Sequence, residues 1–314
     1  MNSFIVAINV VLPLVILIGV GYYAKESKIV SKESFKQINQ IVFKLFIPAS
    51  LMKNIMETDL SISFQPQLIL YACLSLIVLV VVLWITVSRF EKDKKKAGVI
   101  IQAISRSNFV LFGLAIASNM YGSENVAVTS VLISICVPLI NVLAVIILQY
   151  HGMDQVDLKS TLISVIKNPM LIGTFFGFVI LLLDIQLPAF LKSSINDVAK
   201  IATPLALIVL GGTFEIQAVS KNLKTLIAIV FTRLLVAPGI FVGIAILLGY
   251  RNVELISLLV LFGSPTAVAS YAMAVNMNCD GELASQSVLM TTIFSIFSML
   301  FWITLLTATG MLTV

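Results

Sequence analysis

Charged side chains are scarce in this sequence, and that scarcity excludes a soluble globular protein. Of 314 residues only 11% are Asp, Glu, Lys or Arg, whereas 59% are hydrophobic and the mean hydropathy is +1.08. A typical soluble domain has about 25% charged and about 45–50% apolar residues. The apolar residues form continuous blocks of about 20, the length that crosses a bilayer as a helix. Such blocks predict an all-α polytopic membrane protein and exclude a β-barrel, whose strands alternate apolar and polar residues.

Cysteine and histidine are almost missing. The three cysteines, Cys73, Cys136 and Cys279, are too few and too scattered for a disulfide framework, a redox pair or a zinc site. We therefore expect no metal and no cofactor. The single histidine, His151, lies at the end of an apolar block, where we predict a solvated interfacial side chain rather than a proton carrier.

Catalytic motifs are also missing. The sequence contains no Walker A, HExxH or GxSxG pattern, so we predict neither an enzyme nor an ATP-driven pump. The net charge of +5 reflects the placement of loops in a membrane protein and does not indicate nucleic-acid binding.

The apolar blocks predict ten transmembrane spans, numbered here in chain order. They lie at about 4–24, 33–55, 67–88, 97–120, 125–149, 161–183, 197–214, 223–249, 253–277 and 283–310. Twelve Lys and Arg residues fall in the loops on one side of this arrangement and four on the other. The side rich in basic residues is cytoplasmic by the positive-inside rule, so we predict that both termini are extracytoplasmic.

An internal repeat divides the chain into halves, 1–155 and 156–314. At a shift of 156 residues, identical types coincide: Pro13 with Pro169, Gly21 with Gly177 and Pro48 with Pro204. At a shift of 157, nine of the 26 residues in 107–132 match their counterparts in 264–289. Each half holds five predicted spans, and this odd number inverts the second half in the membrane. Inverted repeats are typical of secondary transporters, whose sites lie where broken helices meet.

Predicted spans 4 and 9 carry small and polar residues at mid-span. Span 4 contains 105–109 (SRSNF) followed by Gly113, and span 9 contains 263–266 (GSPT). Proline removes a backbone donor, and glycine permits unusual dihedral angles, so Gly113, Gly263 and Pro265 predict breaks. Unwound backbone is tolerated at membrane depth only where it lines a cavity or is buried in protein.

We therefore predict that 105–109 and 264–266 are the two halves of one anion-binding site, since half-helix N-termini attract carboxylates. The predicted substrate-binding residues are Arg106, Ser107, Asn108, Ser264, Pro265 and Thr266. The alternative is that these small residues only allow close helix packing.

Two arginines and no carboxylate lie at mid-membrane depth. Ionisable groups there are functional by default, and Arg106 is predicted to hold the substrate carboxylate. Arg233 is predicted to be a structural counter-charge for carbonyl ends. All fifteen acids fall in loops or near span ends, which favours an organic anion as substrate over a proton or metal cation.

A second matched pair, Pro48 in span 2 and Pro204 in span 7, predicts kinks or hinges. A simple packing kink is the open alternative.

The sequence resembles the auxin efflux carrier family, including its bacterial malate and malonate permease members, over its whole length. The resemblance rests on short motifs in a characteristic order: 46–49 (FIPA), 106–108 (RSN) with Gly113, 121–122 (YG), 168–169 (NP), 211–212 (GG) and 264–265 (SP).

The resemblance implies a homodimer of elevator carriers in the cell membrane, with an architecture similar to sodium/proton antiporters and bile-acid symporters. Spans 1, 2, 6 and 7 would form the scaffold, and spans 3–5 and 8–10 the transport domain, with substrate at the crossing of spans 4 and 9. Plant members have a proline where this chain has Ser107, so we expect a less complete break in span 4.

The predicted function is therefore secondary transport of a small organic anion, malate or a related carboxylate, with membrane lipid as the other partner. Two alternatives stay open: a sodium-coupled symporter of the bile-acid type and a carrier of auxin-like aromatic carboxylates. A receptor that binds the anion without carrying it is a third.

Overall fold

The computed structural model describes residues 3–58, 65–122, 126–153, 163, 166–215 and 219–313. All regular elements in these ranges are helices. In chain order they are α1 (Ser3–Glu26), α2 (Lys32–Ile41), a π-helical turn π1 (Val42–Phe46), α3 (Ile47–Met56), α4 (Pro66–Phe90), α5 (Lys94–Ser105), α6 (Phe109–Tyr121), α7 (Ala127–Gly152), α8 (Pro169–Leu182), α9 (Ala189–Thr213), α10 (Val219–Phe231), a second π-helical turn π2 (Thr232–Val236), α11 (Ala237–Leu247), α12 (Asn252–Gly263), α13 (Ala269–Asn276) and α14 (Gly281–Ala308).

Five helical stretches in the described residues are long and apolar enough to cross a membrane. They are 66–90, 127–152, 189–213, 219–247 and 281–308. This finding supports a polytopic membrane protein, and the count of ten spans stays a prediction. Helices α5 and α6 have 12 and 13 residues, or about 18–20 Å each at 1.5 Å per residue, so only the two together could cross about 30 Å of hydrocarbon.

Helix α9 begins earlier than the sequence predicted. Predicted span 7 starts at 197, whereas α9 starts at Ala189. Its first two turns carry Lys192, Ser193, Ser194 and Asn196, so this part of the helix is too polar to form an apolar block.

Proline and a tryptophan explain the second π-helical turn. Pro238, near the start of α11, cannot donate to the carbonyl of Leu234 four residues earlier. The indole nitrogen of Trp302 on α14 donates to that carbonyl at 2.9 Å, so the Leu234 carbonyl keeps a hydrogen-bond partner. Pro48 likewise follows π1, as the second residue of α3.

Helices α1, α3, α8 and α9 pack into one group, and two glycines on α1 and α9 allow the closest approach. A Cβ on Gly21 would lie 1.9 Å from the carbonyl oxygen of Ile208, and one on Gly211 would lie 1.9 Å from that of Ile18. Small residues let membrane helices gain van der Waals contact in this way. This group contains predicted spans 1, 2, 6 and 7.

Helices α4 to α7 and α10 to α14 form the second group. Buried polar pairs join its members: Thr129 of α7 lies 2.7 Å from Ser257 of α12, and Asn222 of α10 donates to Gln286 of α14 at 2.9 Å. The first group contacts the second mainly through α1 on α14 and α6, and through π1 on α13. The division into a scaffold and a transport domain stays a prediction.

An exposed ion pair joins α2 to the end of α9, outside the predicted spans. Lys32 donates to Glu215 at 2.7 Å. The hydrogen bond to Glu215 raises the pKa of Lys32, and the bond from Lys32 lowers the pKa of Glu215. Because both groups are exposed, the pair stabilises the fold by no more than about 1 kcal/mol.

The prediction for His151 is wrong. The side chain is buried, its Nδ1 lies 2.8 Å from the carbonyl oxygen of Ile147, and its ring lies 5.0 Å from that of Trp84. A Cβ on Gly98 would lie 2.7 Å from the Cβ of His151, so α5 packs directly on this residue. The position at a span end was read correctly, but tertiary packing covers it.

Candidate functional site

The breaks in predicted spans 4 and 9 lie against each other. Ser107 and Thr266 form an antiparallel β-bridge. The amide of Asn108 donates to the carbonyl of Pro265 at 2.8 Å, and the amide of Ala267 donates to the carbonyl of Arg106 at 3.0 Å. Each break therefore supplies backbone partners for the other, which makes non-helical backbone tolerable in the protein interior.

The expectation that Ser107 would leave span 4 less completely broken is wrong. Helix α5 ends at Ser105 and α6 begins at Phe109, with Arg106 in an extended conformation (φ −94°, ψ 100°). Proline is not needed here because the opposite segment accepts and donates the backbone hydrogen bonds that a helix would otherwise form.

Arg233 holds the C-terminal ends of two half-helices. It is fully buried, and its guanidinium donates to the carbonyls of Ser264 at 2.8 Å, Ile104 at 2.8 Å and Leu261 at 3.2 Å. Ile104 is near the end of α5, and Leu261 and Ser264 are at the end of α12. A positive charge is favourable at helix C-termini, where carbonyls lack helical partners.

Thr266 and Thr291 fix the second break. The Thr266 hydroxyl donates to the carbonyl of Ala103 at 2.7 Å, and its amide donates to the Thr291 hydroxyl at 3.1 Å. Thr291 belongs to α14 and also donates to the carbonyl of Ser287 one turn earlier. These bonds join α14, α5 and the 264–268 segment into one unit.

Arg106 is held by two neutral side chains. One terminal nitrogen donates to the Asn141 side-chain oxygen on α7 at 2.8 Å, and the other donates to the Ser270 hydroxyl on α13 at 3.1 Å. The side chain is 4% exposed, and no carboxylate in the described residues forms an ion pair with it. Within the part of the chain that the structure describes, no side chain therefore balances its positive charge.

A cavity of about 440 Å³ lies between the two helix groups, beside this crossing. One wall is formed by α1, α3 and α9, and the other by the 106–111 segment, α7 and the 267–269 segment. The polar residues of the lining are Ser50, Asn54, Arg106, Ser107, Asn108, Asn141, Lys200 and Thr203. Two are cations and none is an acid.

Four buried polar atoms of the lining residues have no hydrogen-bond partner among the described residues. They are the Nε of Arg106, the Nδ2 of Asn108, the Nδ2 of Asn141 and the hydroxyl of Ser107. Three are N–H donors, and a hydroxyl can also donate. Buried polar groups are nearly always hydrogen-bonded, so these four donors on cavity-lining residues are left for an acceptor such as water or a ligand.

Only three of the six predicted substrate-binding residues line the cavity. Arg106, Ser107 and Asn108 line the cavity, whereas Ser264, Pro265 and Thr266 do not. The carbonyls of Ser264 and Pro265 and the hydroxyl of Thr266 are used in holding the two breaks together. Substrate contacts at Ser264, Pro265 and Thr266 stay a prediction.

Only one of the two glycines predicted to be hinges lies at a break. Gly263 ends α12 and so marks a break, but Gly113 lies inside the continuous helix α6. A Cβ on Gly113 would lie 3.0 Å from the Phe109 ring and 3.2 Å from Thr129, so its place is explained by close packing. Pro48 and Pro204 both lie within helices, and Pro204 lines the cavity.

Sequence reasoning missed Asn141, Ser270, Asn54 and Lys200. Asn141 is a polar residue at mid-depth of predicted span 5, a position that could have signalled a role. The others lie near span ends or among small residues, and only the packing of α3, α9 and α13 brings them to the cavity or to Arg106. The described residues contain no group of three His, Cys, Asp or Glu side chains that could hold a metal ion.

The chain is similar to known transporters along almost its whole length. A family model described as membrane transport protein matches residues 6–303. An uncharacterized transporter of Methanocaldococcus jannaschii is 24% identical over 312 residues, covering 95% of this chain and 98% of the relative. The uncharacterized transporter YfdV of Escherichia coli is 22% identical over 316 residues, covering 93% and 95%. The resemblance drawn from the sequence motifs is thus confirmed, and the chain belongs to the membrane transport protein family, of the auxin efflux carrier type.

Proposed function

We propose that this protein carries a small organic anion, malate or a related carboxylate, across the cell membrane as a secondary transporter. The observation that carries the proposal is the set of four unpartnered donors around a cavity whose lining has two cations and no acid. A carboxylate offers only acceptor oxygens and a negative charge, which complements this set.

The substrate carboxylate binds at Arg106, Ser107, Asn108 and Asn141. Arg106 supplies the charge, and its two bonds to Asn141 and Ser270 fix the plane of the guanidinium while its Nε stays available. Asn141 accepts from Arg106 through its side-chain oxygen, so its amide nitrogen is left to donate to the substrate.

Transport proceeds by alternating access of the elevator type. The crossing of the two breaks belongs to the second helix group, whereas α1, α3 and α9 form the opposite wall of the cavity. In the predicted ten-span orientation, Asn54 and Lys200 lie toward the extracytoplasmic ends of their helices, so the cavity faces outward. Movement of the second group against the first would carry the site to the cytoplasmic side.

The proposed assembly is a homodimer in the cell membrane with both termini extracytoplasmic. Spans 1, 2, 6 and 7 would form the scaffold and the dimer contact. This part of the proposal rests on the family resemblance and on the distribution of basic loops.

Labelled malate uptake into proteoliposomes tests the function. The membrane potential is clamped with potassium and valinomycin, positive or negative inside, with sodium present or replaced by choline. We expect saturable uptake without sodium that increases when the inside is positive, because the carried species is an anion. Uptake that requires sodium would instead indicate the bile-acid-type symporter.

Two variants, one at the residue before α6 and one near the end of that helix, test whether uptake depends on the site. Asn108→Ala removes an unpartnered donor of the cavity and should lower uptake at least about tenfold, because a bond to a charged group contributes about 1.5–3 kcal/mol. Asn119→Ala, at the exposed far end of α6, is the matched control and should leave uptake unchanged. Equal uptake by both variants would contradict the assignment, and absence of saturable uptake of any carboxylate by the unmodified protein would contradict the function.

A further inference from the structure

We propose that Lys200 on α9 binds the second negative group of a dianionic substrate, while Arg106 binds the first. This inference rests on the proposed function, since it assigns a further specificity-determining residue of the same site. It makes the charge of the substrate, rather than its shape, the property that the cavity selects.

The charge of the cavity lining is the first support. Arg106 and Lys200 are its two charged residues, and they come from opposite walls. Arg106 belongs to the helix crossing, whereas Lys200 belongs to α9 in the first helix group. A substrate between the walls therefore meets one cation on each side.

The position of Lys200 along α9 is the second support. The cavity face of α9 includes Ala199, Lys200, Thr203, Pro204 and Leu207, which recur at helical spacing. Lys200 is seven residues from Leu207, the fully buried lining residue of α9, or about 10 Å along the helix axis, so it lies about two turns outward from the deep part of the cavity. Its flexible stem can cover a second carboxylate that extends outward from the Arg106 site.

The surroundings of the ammonium group leave it free to bind. Its charged partner in the structure is Asp197, at 3.7 Å, and both side chains are 70% exposed. Exposed pairs of this kind contribute about 0–1 kcal/mol, so a substrate carboxylate can replace Asp197 at little cost. Asn54 and Thr203 add neutral polar groups to the same wall of the cavity.

An ordinary interfacial lysine is the competing explanation. In that case Lys200 only pairs with Asp197 in solvent, and neutralising either residue would not change substrate selection. The two explanations differ for Asp197→Asn, because removing the competing acid should leave Lys200 more available to a dianion.

The experiment compares malate with lactate, which is the same 2-hydroxy acid without the second carboxylate. Both serve as unlabelled competitors of labelled malate uptake at neutral pH, for the unmodified protein and for Lys200→Gln, Asp197→Asn and Lys192→Gln. Lys192 is exposed near the start of α9, does not line the cavity, and is the matched control. Thermal unfolding of each purified variant checks that the fold is retained.

We expect the unmodified protein to prefer malate to lactate by at least about tenfold, the factor that corresponds to about 1.4 kcal/mol. Lys200→Gln should raise the half-inhibitory malate concentration about tenfold and change that of lactate less than about twofold, since lactate has no group for Lys200. Asp197→Asn should lower the half-inhibitory concentration of malate and leave that of lactate unchanged, and Lys192→Gln should change neither competitor.

Two results would overturn this inference while leaving the proposed function intact. One is saturable malate uptake with no preference over lactate. The other is a Lys200→Gln variant that weakens both competitors equally or neither. A protein that takes up no carboxylate at all would overturn the proposed function, and this inference with it.

Discussion

The two buried arginines of the crossing differ in what surrounds them. Arg233 donates to three backbone carbonyls and lies 0% exposed, so it completes the ends of two half-helices. Arg106 has two neutral side-chain partners and one free N–H beside the cavity. The same residue type thus stabilises structure at one position and is available for a ligand at the other.

Replacing Arg106 should remove substrate binding without unfolding the protein. Arg106→Gln removes a buried charge that has no counter-charge among the described residues, and this gain offsets the loss of the hydrogen bonds to Asn141 and Ser270. We expect an unchanged or higher unfolding temperature without ligand, and no rise on addition of malate. In the unmodified protein, malate at 100 times its dissociation constant should stabilise the folded state by about 2.7 kcal/mol. A malate-dependent rise that persists in the variant would contradict the role of Arg106.

Replacing Arg233 should have the opposite effect. Arg233→Gln leaves buried carbonyls of α5 and α12 without donors, and each lost partner costs about 1–3 kcal/mol. We expect a loss of about 3 kcal/mol or more in unfolding free energy, measured by denaturation in detergent, together with reduced yield of folded protein. Unchanged stability would show that water replaces the guanidinium, against the burial seen here.

At the scale of elements, α1 and α9 lie so close that the backbone of each helix contacts the backbone of the other. Gly21 and Gly211 leave room for the carbonyls of Ile208 and Ile18 respectively. The repeat aligns Gly21 with Gly177, but only the structure shows which helix each of these glycines contacts. Gly177 contacts Met52 and Ile55 of α3, so the two repeated glycines serve corresponding contacts in the first helix group.

A pair of alanine substitutions on α1 tests this contact. Gly21→Ala places a Cβ within 1.9 Å of the Ile208 carbonyl oxygen and forces the helices apart, at a cost of about 1–3 kcal/mol. Gly19→Ala meets nothing within 4 Å and should be neutral or slightly stabilising through helix propensity. Thermal unfolding of both variants in the same detergent measures the difference. Equal unfolding temperatures would contradict the observed packing.

At the scale of the whole molecule, the cavity lies between two helix groups, and its donors belong mainly to one of them. In the proposed mechanism, an empty carrier must move past the opposite wall with four donors unsatisfied. Each buried unsatisfied donor costs about 1–3 kcal/mol, whereas a bound carboxylate satisfies them during the passage.

Exchange should therefore be faster than net transport. We expect labelled malate to leave proteoliposomes at least about tenfold faster with unlabelled malate outside than with buffer outside, because even one unsatisfied donor accounts for about 1.4 kcal/mol. Efflux into buffer at the exchange rate would show that the empty carrier returns freely. Liposomes without protein correct both rates for leakage.

The sequence by itself determined the class of this protein, the family, the positions of the breaks and the two deep arginines. These follow from local properties: long apolar blocks, a shifted repeat, and proline, glycine and charge at mid-span. Hydrocarbon penalises such residues strongly, so each of them is conspicuous in a sequence.

Only the tertiary structure decided which side chains face the cavity. Ser107, Ser264 and Thr266 are all polar residues at a break, but only Ser107 lines the cavity. The carbonyl of Ser264 and the hydroxyl of Thr266 form hydrogen bonds that hold the crossing together. Asn141 and Lys200 come from helices distant in sequence, and His151 is covered by α5 and Trp84. The physical reason is that a site between packed helices depends on which faces meet, and one sequence pattern is compatible with several such pairings.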